Sequence, residues 1–288
     1  MRFLVTGVKG QLGSALLREL ARRGFTDVIG IDVEDLDLTN EEAVYSFIRE
    51  KHPDVVFNPA AWTAVDKAEL FPEKVRQINA FGPGYIAKVC KEIGAKTVQI
   101  STDYVFPGTG NTPYETDDPI GPSSVYGSTK AEGEENVRQA NTRHFIVRIS
   151  WAFGAGPNFV RTMLRLAETH DKLTVVGDQI GSPTYMEDLA RLLVDMSLTE
   201  EYGTYHATNE GFCSWAEFAK EIFRQAGKQV EVEAVTTEEY LRRNPNQAKR
   251  PLNSRLSKAK LIEHGFQPLP TWQDALSRYL KFLKEEQV

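Results

Sequence analysis

The sequence predicts an α/β fold, in which a Rossmann-type, doubly wound parallel sheet is followed by a smaller C-terminal α/β lobe. Two observations support this fold class. Short β-rich runs that are apolar on both faces alternate with helical stretches through the first half of the chain. A glycine-rich turn, TGVKGQLG (6–13), joins the first of these runs to the first helical stretch. Strands that are apolar on both faces need helices on both sides of the sheet, because each face must be covered.

Five β-rich runs provide the predicted strands of the sheet. Leucines recur at helical spacing after the first run, so we expect a helix with one buried face over 11–24. Thr39 and Glu42 have the spacing of a capping box and predict the start of the next helix. Further helices are expected over 72–94 and 123–141. The five runs are RFLVT (2–6), DVIGID (27–32), DVVFN (54–58), TVQIS (97–101) and HFIVRIS (144–150).

The regular alternation ends after Trp151. Two shorter β-rich runs, LTVV (173–176) and GTYHA (203–207), are separated by helical stretches. Ser214 and Glu217 have capping-box spacing before another helix. No linker rich in Gly and Ser precedes this part of the chain, so we expect a smaller lobe that packs on the sheet.

The composition is that of an ordinary globular protein, with 288 residues, of which 41% are hydrophobic and 26% are charged. A formal charge of −6 lacks the basic surplus of duplex-binding proteins, so we expect no nucleic-acid partner. No stretch has the length and apolar character of a membrane span. The first residues, MRFLVTG, contain too few apolar residues for a signal peptide, which favours a cytoplasmic protein without a membrane partner.

The cysteines and histidines argue against disulfide and metal chemistry. Cys90 and Cys213 lack C-x-x-C spacing, so we expect both thiols to be buried and reduced. No histidine has ligand spacing from another histidine or from a cysteine, so no metal site is predicted.

One basic run, RRNPNQAKRPLNSR (242–255), contains five cationic side chains and no acid. Two interpretations stay open for it. The more common one is a solvated loop, and the other is a contact to a small anion such as a diphosphate.

The glycine turn predicts a dinucleotide site, because Gly7, Gly10 and Gly13 are three residues apart between a strand and a helix. Gly7 allows a sharp turn as the chain leaves the strand. Gly10 allows a pyrophosphate to approach the main-chain N–H groups at the helix N-terminus. Gly13 allows the helix to lie close to the sheet.

Asp32 ends the second β-rich run, nineteen residues after Gly13. A carboxylate at this place accepts hydrogen bonds from the adenosine ribose and repels a 2′-phosphate. The next three residues, VED, provide no arginine for that phosphate, although Arg22 and Arg23 of the first helix remain alternatives. The sequence therefore favours NADH slightly over NADPH.

Tyr126 and Lys130 in VYGSTKAE (125–132) are four residues apart in a predicted helix, so they share one helix face. This spacing alone is common. A lysine cation about 4 Å from a phenol favours the phenolate by roughly 4 kcal/mol at an effective dielectric constant near 20. That would move the tyrosine pKa from about 10 towards 7. Tyr126 would then give a proton to a carbonyl oxygen as hydride reaches the carbonyl carbon.

The third catalytic group is predicted in ISTDYVF (100–106), at the end of the fourth run. Open α/β sheets bind ligands at the carboxyl ends of their strands. We therefore assign Thr102 as the hydroxyl that holds the reacting oxygen, although such residues also form turns.

The spacing of the first two glycines resembles the extended branch of the short-chain dehydrogenase/reductase superfamily. Eight segments, in order along the whole chain, resemble the dTDP-4-dehydrorhamnose reductases. That family reduces the C4 ketone of dTDP-4-dehydro-L-rhamnose with NADH or NADPH and forms dTDP-L-rhamnose for cell-surface polysaccharides. The segments are GQLG (10–13), LDLT (36–39), NPAAWTAVDKAE (58–69), STDYVF (101–106), YGSTKAEGE (126–134), RISWAFG (148–154), DQIGSPT (178–184) and RPLNSRL (250–256).

Together with the glycine turn and Asp32, the resemblance implies a dinucleotide-binding domain over 1–150. It implies a mainly substrate-binding lobe over 151–288, with segments that can return to the sheet. Cofactor contacts are expected from Gly7, Gly10, Gln11, Leu12, Gly13, Asp32, Asp37, Leu38, Ala60, Ala61, Trp62, Thr63, Tyr126 and Lys130. Contacts to the nucleotide-sugar substrate are expected from Val65, Thr102, Asp103, Tyr104 and Trp151, whose indole can lie against the sugar ring.

Three positions refine the resemblance. Ala15 stands where members that pair around Mg²⁺ have a glutamate, which argues against a metal-bridged dimer and leaves monomer and homodimer open. Trp62 stands where many members have tyrosine or histidine. Tyr104 follows Asp103 where sugar-nucleotide dehydratases have a glutamate, so dehydration is disfavoured.

Two alternatives to this reductase stay open. The same fold occurs in a regulatory subunit of methionine adenosyltransferase, which binds a dinucleotide without reducing a substrate. A reductase or epimerase of another nucleotide keto-sugar would differ only in details of its pocket. The sequence leaves the exact sugar and the nucleotide base undecided.

Overall fold

The computed structural model describes residues 1–245 and 247–285. The strands are β1 (Phe3–Val5), β2 (Val28–Gly30), β3 (Val55–Asn58), β4 (Lys96–Thr102), β5 (His144–Ile149), β6 (Ala152–Phe153), β7 (Lys172–Val176), β8 (Ile180–Gly181), β9 (Thr184–Tyr185), β10 (Gly203–His206), β11 (Asn209–Glu210), β12 (Cys213–Ser214), β13 (Glu231–Val235), β14 (Asn253–Ser254) and β15 (Leu269–Thr271). The α-helices are α1 (Gln11–Arg22), α2 (Glu41–Lys51), α3 (Val65–Ala68), α4 (Pro72–Arg76), α5 (Gly82–Ile93), α6 (Val125–Ala140), α7 (Phe159–Leu166), α8 (Met186–Ser197), α9 (Trp215–Ala226), α10 (Thr237–Arg243), α11 (Ala259–Glu263) and α12 (Trp272–Glu285).

Six strands form one parallel sheet in the order β10-β5-β4-β3-β1-β2. One face of the sheet buries Phe3 and Phe57 in a core that includes the leucines of α1 and α8. The other face buries Leu4 and Val56 in a core with α2 and α5. The predicted doubly wound α/β fold is therefore confirmed.

The strand order also fixes where a ligand can bind. β1 lies between β2 and β3, so the chain leaves β1 towards one side of the sheet and later returns on the other side. In open α/β sheets, the crevice at the carboxyl ends of two such strands is the usual ligand site. The turn after β1 and the segment after β3 meet at this crevice.

The predicted cap of the second helix was wrong. The Asn40 side chain, rather than Thr39, accepts the hydrogen bond from the Ala43 N–H group, at 3.1 Å. The Thr39 hydroxyl instead donates to the Asp37 carboxylate at 2.8 Å. An acidic acceptor two residues upstream therefore removes Thr39 from the capping position.

The region expected to be one helix over 72–94 contains a wider turn. A π-helical turn, Gln77–Phe81, separates α4 from α5. Pro83 has no N–H group to donate to the Asn79 carbonyl four residues earlier, which favours this irregularity. That carbonyl packs instead against Gly133 of α6, where an added Cβ would lie 2.2 Å from it.

The chain after Trp151 forms smaller sheets around a second core. β10 returns to the main sheet and pairs with β5. Aromatic side chains from β6, β9, α9 and α12 fill the second core, and the Ser214–Glu217 capping box is present, as predicted. Asn246 and residues 286–288 of this part lie outside the described residues. The division of the chain at residue 150 stays a prediction.

Cys90 and Cys213 are free and buried, as predicted. Burial raises the pKa of both thiols, that of Cys90 to about 12. Within 1–245 and 247–285, none of the helices combines the length and apolar character needed to cross a membrane. The same residues contain no group of three or more His, Cys, Asp and Glu side chains placed to hold a metal ion.

Candidate active site

A cavity of about 720 Å³ opens at the carboxyl ends of the sheet strands. It is lined by every residue that the sequence predicts to contact cofactor or substrate. These residues come from the turns after β1, β2 and β3, from the end of β4, from α6 and from the segment after β5. Their proximity is observed, whereas their individual roles stay predictions.

The glycine turn forms a floor of bare main chain. Gly7 has a left-handed backbone (φ 58°), and a Cβ there would lie 3.1 Å from the Ala60 Cα. A Cβ on Gly13 would lie 2.2 Å from the Gly7 carbonyl oxygen. Nearby, Gln11 donates to the Pro157 carbonyl at 3.2 Å, while its own Oε1 is buried without a hydrogen-bond partner among the described residues. The glycine turn leaves a space that side chains at Gly7 and Gly13 would fill, and the unpaired Gln11 Oε1 lies beside it. This arrangement fits a bound dinucleotide.

Asp32 lies at the rim of this floor. Its carboxylate accepts hydrogen bonds from the N–H groups of Lys9, at 2.9 Å, and Val33, at 2.8 Å. The Lys9 ammonium is exposed and pairs with Glu34 at 2.7 Å. Lys9 therefore places a cation within the cavity lining beside Asp32, a contribution that the sequence analysis missed although Lys9 lies inside the glycine turn.

Arg22 and Arg23 do not provide the cation that the sequence analysis left as an alternative. They lie at the C-terminal end of α1, away from the glycine turn. Arg22 pairs with Glu19 at 2.7 Å, and Arg23 pairs with Asp195 at 2.7 Å. These ion pairs hold both guanidinium groups away from the cavity.

The segment after β3 is fixed by a residue that the sequence analysis missed. Asn79, in the π-helical turn, accepts from the Trp62 N–H group at 2.8 Å and donates to the Trp62 carbonyl at 3.1 Å. The indole N–H group of Trp62 donates to the Ala64 carbonyl at 3.1 Å. The predicted cofactor contacts over 60–63 thus belong to a backbone segment that Asn79 holds in place.

The three predicted catalytic residues meet between β4 and α6. Ser124 caps α6 by accepting from the Gly127 N–H group at 3.1 Å, which sets the position of Tyr126 in the first turn. The Thr102 hydroxyl at the end of β4 donates to the Asp103 carboxylate at 3.0 Å and accepts from the Tyr104 N–H group at 3.2 Å. The Lys130 ammonium, one turn further along α6, donates to the Ile100 carbonyl at 2.6 Å.

The expected fall in the pKa of Tyr126 is wrong for this structure. Burial raises the pKa of the phenol to about 12, and the neighbouring Thr102 hydroxyl offsets only part of that rise. The Lys130 ammonium is directed at a main-chain carbonyl, and burial lowers the pKa of Lys130 to about 8. Tyr126 is therefore protonated at neutral pH, which is the form that donates a proton.

Asp103 is a buried acid on the predicted substrate side of the cavity. Burial raises the pKa of Asp103 to about 6. Its Oδ1 accepts from the Thr102 hydroxyl at 3.0 Å, and its Oδ2 is buried without a hydrogen-bond partner among the described residues. The ring of Tyr104 meets that of Tyr126 edge to face, with ring centres 5.3 Å apart. Both side chains thus lie beside the proposed proton donor.

Trp151 has an unusual backbone. It is one of two non-glycine residues with positive φ in 1–245 and 247–285, at 49°. Its indole stacks on Trp215, with ring centres 3.8 Å apart, and a Cβ on Gly181 would lie 2.9 Å from it. Backbone strain at a packed aromatic residue is typical of functional sites.

A second cavity of about 290 Å³ continues past Tyr104 and Trp151. Arg250, from the basic run, lines it and pairs with Asp66 at 2.9 Å. Arg242 and Arg243 instead make exposed pairs with acids one turn earlier in α10. The solvated interpretation therefore suits the start of the run, while Arg250 stays a candidate for anion contact. Asn246 in this run lies outside the described residues.

Comparison with known proteins identifies the family. Residues 1–285 match the family model described as the RmlD substrate binding domain. The chain is 45% identical to a dTDP-4-dehydrorhamnose reductase of Clostridium acetobutylicum of known structure, covering 99% of this chain and 100% of that one, with a TM-score of 0.95. The chain belongs to the dTDP-4-dehydrorhamnose reductase family. The family predicted from the motifs is confirmed.

Two other relatives extend the comparison. The dTDP-4-dehydrorhamnose reductase of Bacillus anthracis (strain Ames), solved in complex with NADP, is 40% identical, with 98% of this chain and 99% of that chain covered and a TM-score of 0.92. A spore coat polysaccharide biosynthesis protein of Bacillus subtilis (strain 168), SpsK, is 43% identical, with 97% of each chain covered.

Proposed function

We propose that this protein is an NAD(P)H-dependent reductase that converts dTDP-4-dehydro-L-rhamnose (dTDP-4-dehydro-6-deoxy-L-mannose) to dTDP-L-rhamnose, a precursor of cell-surface polysaccharides. The observation that carries the proposal is that Thr102, Tyr126 and Lys130 share one cavity with the glycine turn. The similarity to the dTDP-4-dehydrorhamnose reductases of Clostridium acetobutylicum and Bacillus anthracis supports it.

The glycine turn, Gln11, Asp32 and the segment over 60–63 would hold a nicotinamide dinucleotide. The relative from Bacillus anthracis was solved in complex with NADP, which supports this kind of cofactor. When bound in reduced form, this group supplies the hydride. Thr102 would hold the C4 carbonyl oxygen by a hydrogen bond, and Tyr126 would give that oxygen a proton. The Lys130 ammonium would then stabilise the phenolate left on Tyr126.

NADH remains the slightly preferred cofactor in our proposal. Asp32 supports this preference, because a carboxylate at the ribose repels a 2′-phosphate. Lys9 reduces the preference, because its exposed ammonium adds a positive charge at the same rim. We therefore propose that both cofactors are used and that the balance between Lys9 and Asp32 sets the ratio.

The substrate would lie with its sugar against Val65, Asp103, Tyr104 and Trp151. Its nucleotide part would extend into the second cavity, where Arg250 offers a cation for the diphosphate. We propose that the protein is cytoplasmic and is a monomer or a homodimer. We also propose that it needs no Mg²⁺, because Ala15 replaces the glutamate of the metal-bridged members.

The test is oxidation of NADH and of NADPH by the purified protein with dTDP-4-dehydro-L-rhamnose, followed by identification of the product. We expect dTDP-L-rhamnose with either cofactor. A folded protein that binds the cofactor but produces nothing contradicts the proposal and favours the regulatory-subunit alternative. Turnover of a different nucleotide keto-sugar in a parallel panel would reassign the substrate while keeping the reaction type.

A further inference from the structure

We propose that Glu134 is a positioning residue for the proposed reaction: held by Arg148, it keeps the buried Lys130 side chain in its ammonium form behind Tyr126. This inference rests on the proposed function for its catalytic meaning. Its charge chemistry is independent of turnover.

The three side chains form one row on α6. Tyr126, Lys130 and Glu134 are separated by four residues each, so they lie on the same face of the helix. Lys130 is 4% exposed and Glu134 is 1% exposed, so water contributes little to the solvation of either charge. A carboxylate this deeply buried needs a partner to stay ionised.

Arg148 of β5 provides that partner. Its Nε and Nη2 donate to the two carboxylate oxygens of Glu134 at 2.8 Å and 2.7 Å. Its Nη1 donates to the Thr116 carbonyl at 3.0 Å, and its guanidinium group lies 5.0 Å from the ring centre of Phe106. Because Arg148 is only 3% exposed and each of its three side-chain nitrogens makes a hydrogen bond, this bidentate pair fixes the position of Glu134.

The carboxylate acts on Lys130 from one helical turn away. Burial lowers the pKa of Lys130 to about 8, and the Glu134 charge opposes that fall. Without this opposing charge, more of Lys130 would be neutral amine at physiological pH. A neutral amine cannot stabilise the phenolate that forms when Tyr126 gives up its proton. Glu134 therefore affects the proposed reaction by keeping Lys130 charged.

Other charged and titratable groups lie around the row, and one of them, Arg138, also pairs with Glu134 at 3.5 Å. Asp103 raises the pKa of Tyr126. His206 of β10 lies beside Arg148 and is neutral, because burial lowers its pKa to about 3. The remaining groups are Arg138 on the outer side of Glu134, Lys258 near His206, and the exposed pair of Arg76 and Glu132 between α4 and α6.

The test follows the protonation of Lys130 directly, by the pH dependence of the ¹³Cε chemical shift of its side chain, assigned with the Lys130→Arg variant. In Glu134→Gln we expect the midpoint of the Lys130 titration to move to lower pH by about one unit. Glu134→Asp should restore most of the wild-type midpoint. Glu135→Gln is the matched control, because Glu135 is the next residue of α6 but is exposed and pairs with Arg138. An unchanged midpoint in folded Glu134→Gln overturns the proposal.

Removing Glu134 alone leaves Arg148 buried without its partner, which can prevent folding. The double variant Glu134→Gln, Arg148→Gln removes both charges. It tests the effect of Glu134 on Lys130 if the single variant does not fold. We expect its Lys130 midpoint to lie below that of the wild type, and a midpoint at or above the wild-type value overturns the proposal.

Activity then separates this inference from the proposed function. If reduction occurs, the alkaline limb of kcat/KM should move with the Lys130 midpoint in each variant. A limb that stays in place while the midpoint moves overturns the catalytic part of the inference. A protein without reductase activity that still shows the expected midpoints contradicts the proposed function but supports the effect of Glu134 on Lys130.

Discussion

The two ends of the main cavity are built differently. At the proposed catalytic end, Thr102 and Lys130 are 5% and 4% exposed, and they donate hydrogen bonds of 3.0 Å and 2.6 Å. At the other end, where we propose that the adenosine binds and which we call the adenosine end, the side chains of Lys9 and Glu34 are 68% and 62% exposed. Water and salt screen charges at the open end, whereas a group lost from the buried end leaves its partner unsatisfied. Substitutions should therefore abolish chemistry at one end and only adjust preference at the other.

The largest expected effect is at the proton donor. Tyr126→Phe should lower kcat by about 10²- to 10⁴-fold, because the phenol is the proposed source of the proton. NADH binding, measured by fluorescence titration, should be nearly unchanged because the ring remains. Tyr114→Phe is the control, since that hydroxyl bonds the Thr109 backbone outside the cavity. If Tyr126→Phe keeps half of the wild-type kcat, the proton comes from another group.

The second prediction tests how strongly the catalytic end is desolvated. The pKa of Asp103 is about 6 in the folded protein, against an ordinary value of 3.8. The folded state therefore holds a proton that the unfolded chain releases, so the stabilisation is complete below about pH 4 and is lost as pH rises through 6. Relative to Asp103→Asn, the wild type should lose about 2.4 kcal/mol of unfolding free energy between pH 4 and 7.

Urea unfolding of both proteins across that range measures the difference, since the other titrating groups cancel in the comparison. Parallel stability curves for the wild type and Asp103→Asn would show that Asp103 titrates normally. The catalytic end would then be as well hydrated as the adenosine end, and the contrast between them would disappear.

Local patterns explain how much the sequence could predict. Apolar runs and the glycine turn predicted β1 to β5 and the fold class. The proposed site residues follow strand ends or share one face of α6, so their meeting in one cavity followed from the same patterns. The Ser214–Glu217 box was also predictable, because both of its hydrogen bonds are local.

What the sequence missed depends on pairing between distant elements. Glu134 and Arg148 look like ordinary surface charges until α6 packs on β5 and buries both. Asn79 gains its role only through the π-helical turn, which has no distinct sequence period. The direction of the pKa shift at Tyr126 was wrong for the same reason, because burial is a property of the packed structure and Lys130 donates to the Ile100 carbonyl.

The third prediction concerns the floor that joins the two ends. Gly13→Ala should destabilise the fold by about 2 kcal/mol, because the new Cβ would lie 2.2 Å from the Gly7 carbonyl, a backbone atom that cannot move aside easily. Gly10→Ala is the matched control, where the Cβ would lie 3.1 Å from the same oxygen. Urea unfolding should show a clearly smaller loss for Gly10→Ala. Equal losses for the two variants would mean that the helix shifts to accommodate both.

The smallest expected effect is at the exposed rim. Lys9→Ala should lower kcat/KM for NADPH about threefold and leave kcat/KM for NADH nearly unchanged, because the exposed ammonium helps only the cofactor with a 2′-phosphate. The effect should fade at high salt, as screening predicts. Arg22→Ala is the control, since Arg22 pairs with Glu19 at the far end of α1. A change in the cofactor ratio with Arg22→Ala, but not with Lys9→Ala, would return the phosphate-binding role to α1 and show that the rim is less open than the structure indicates.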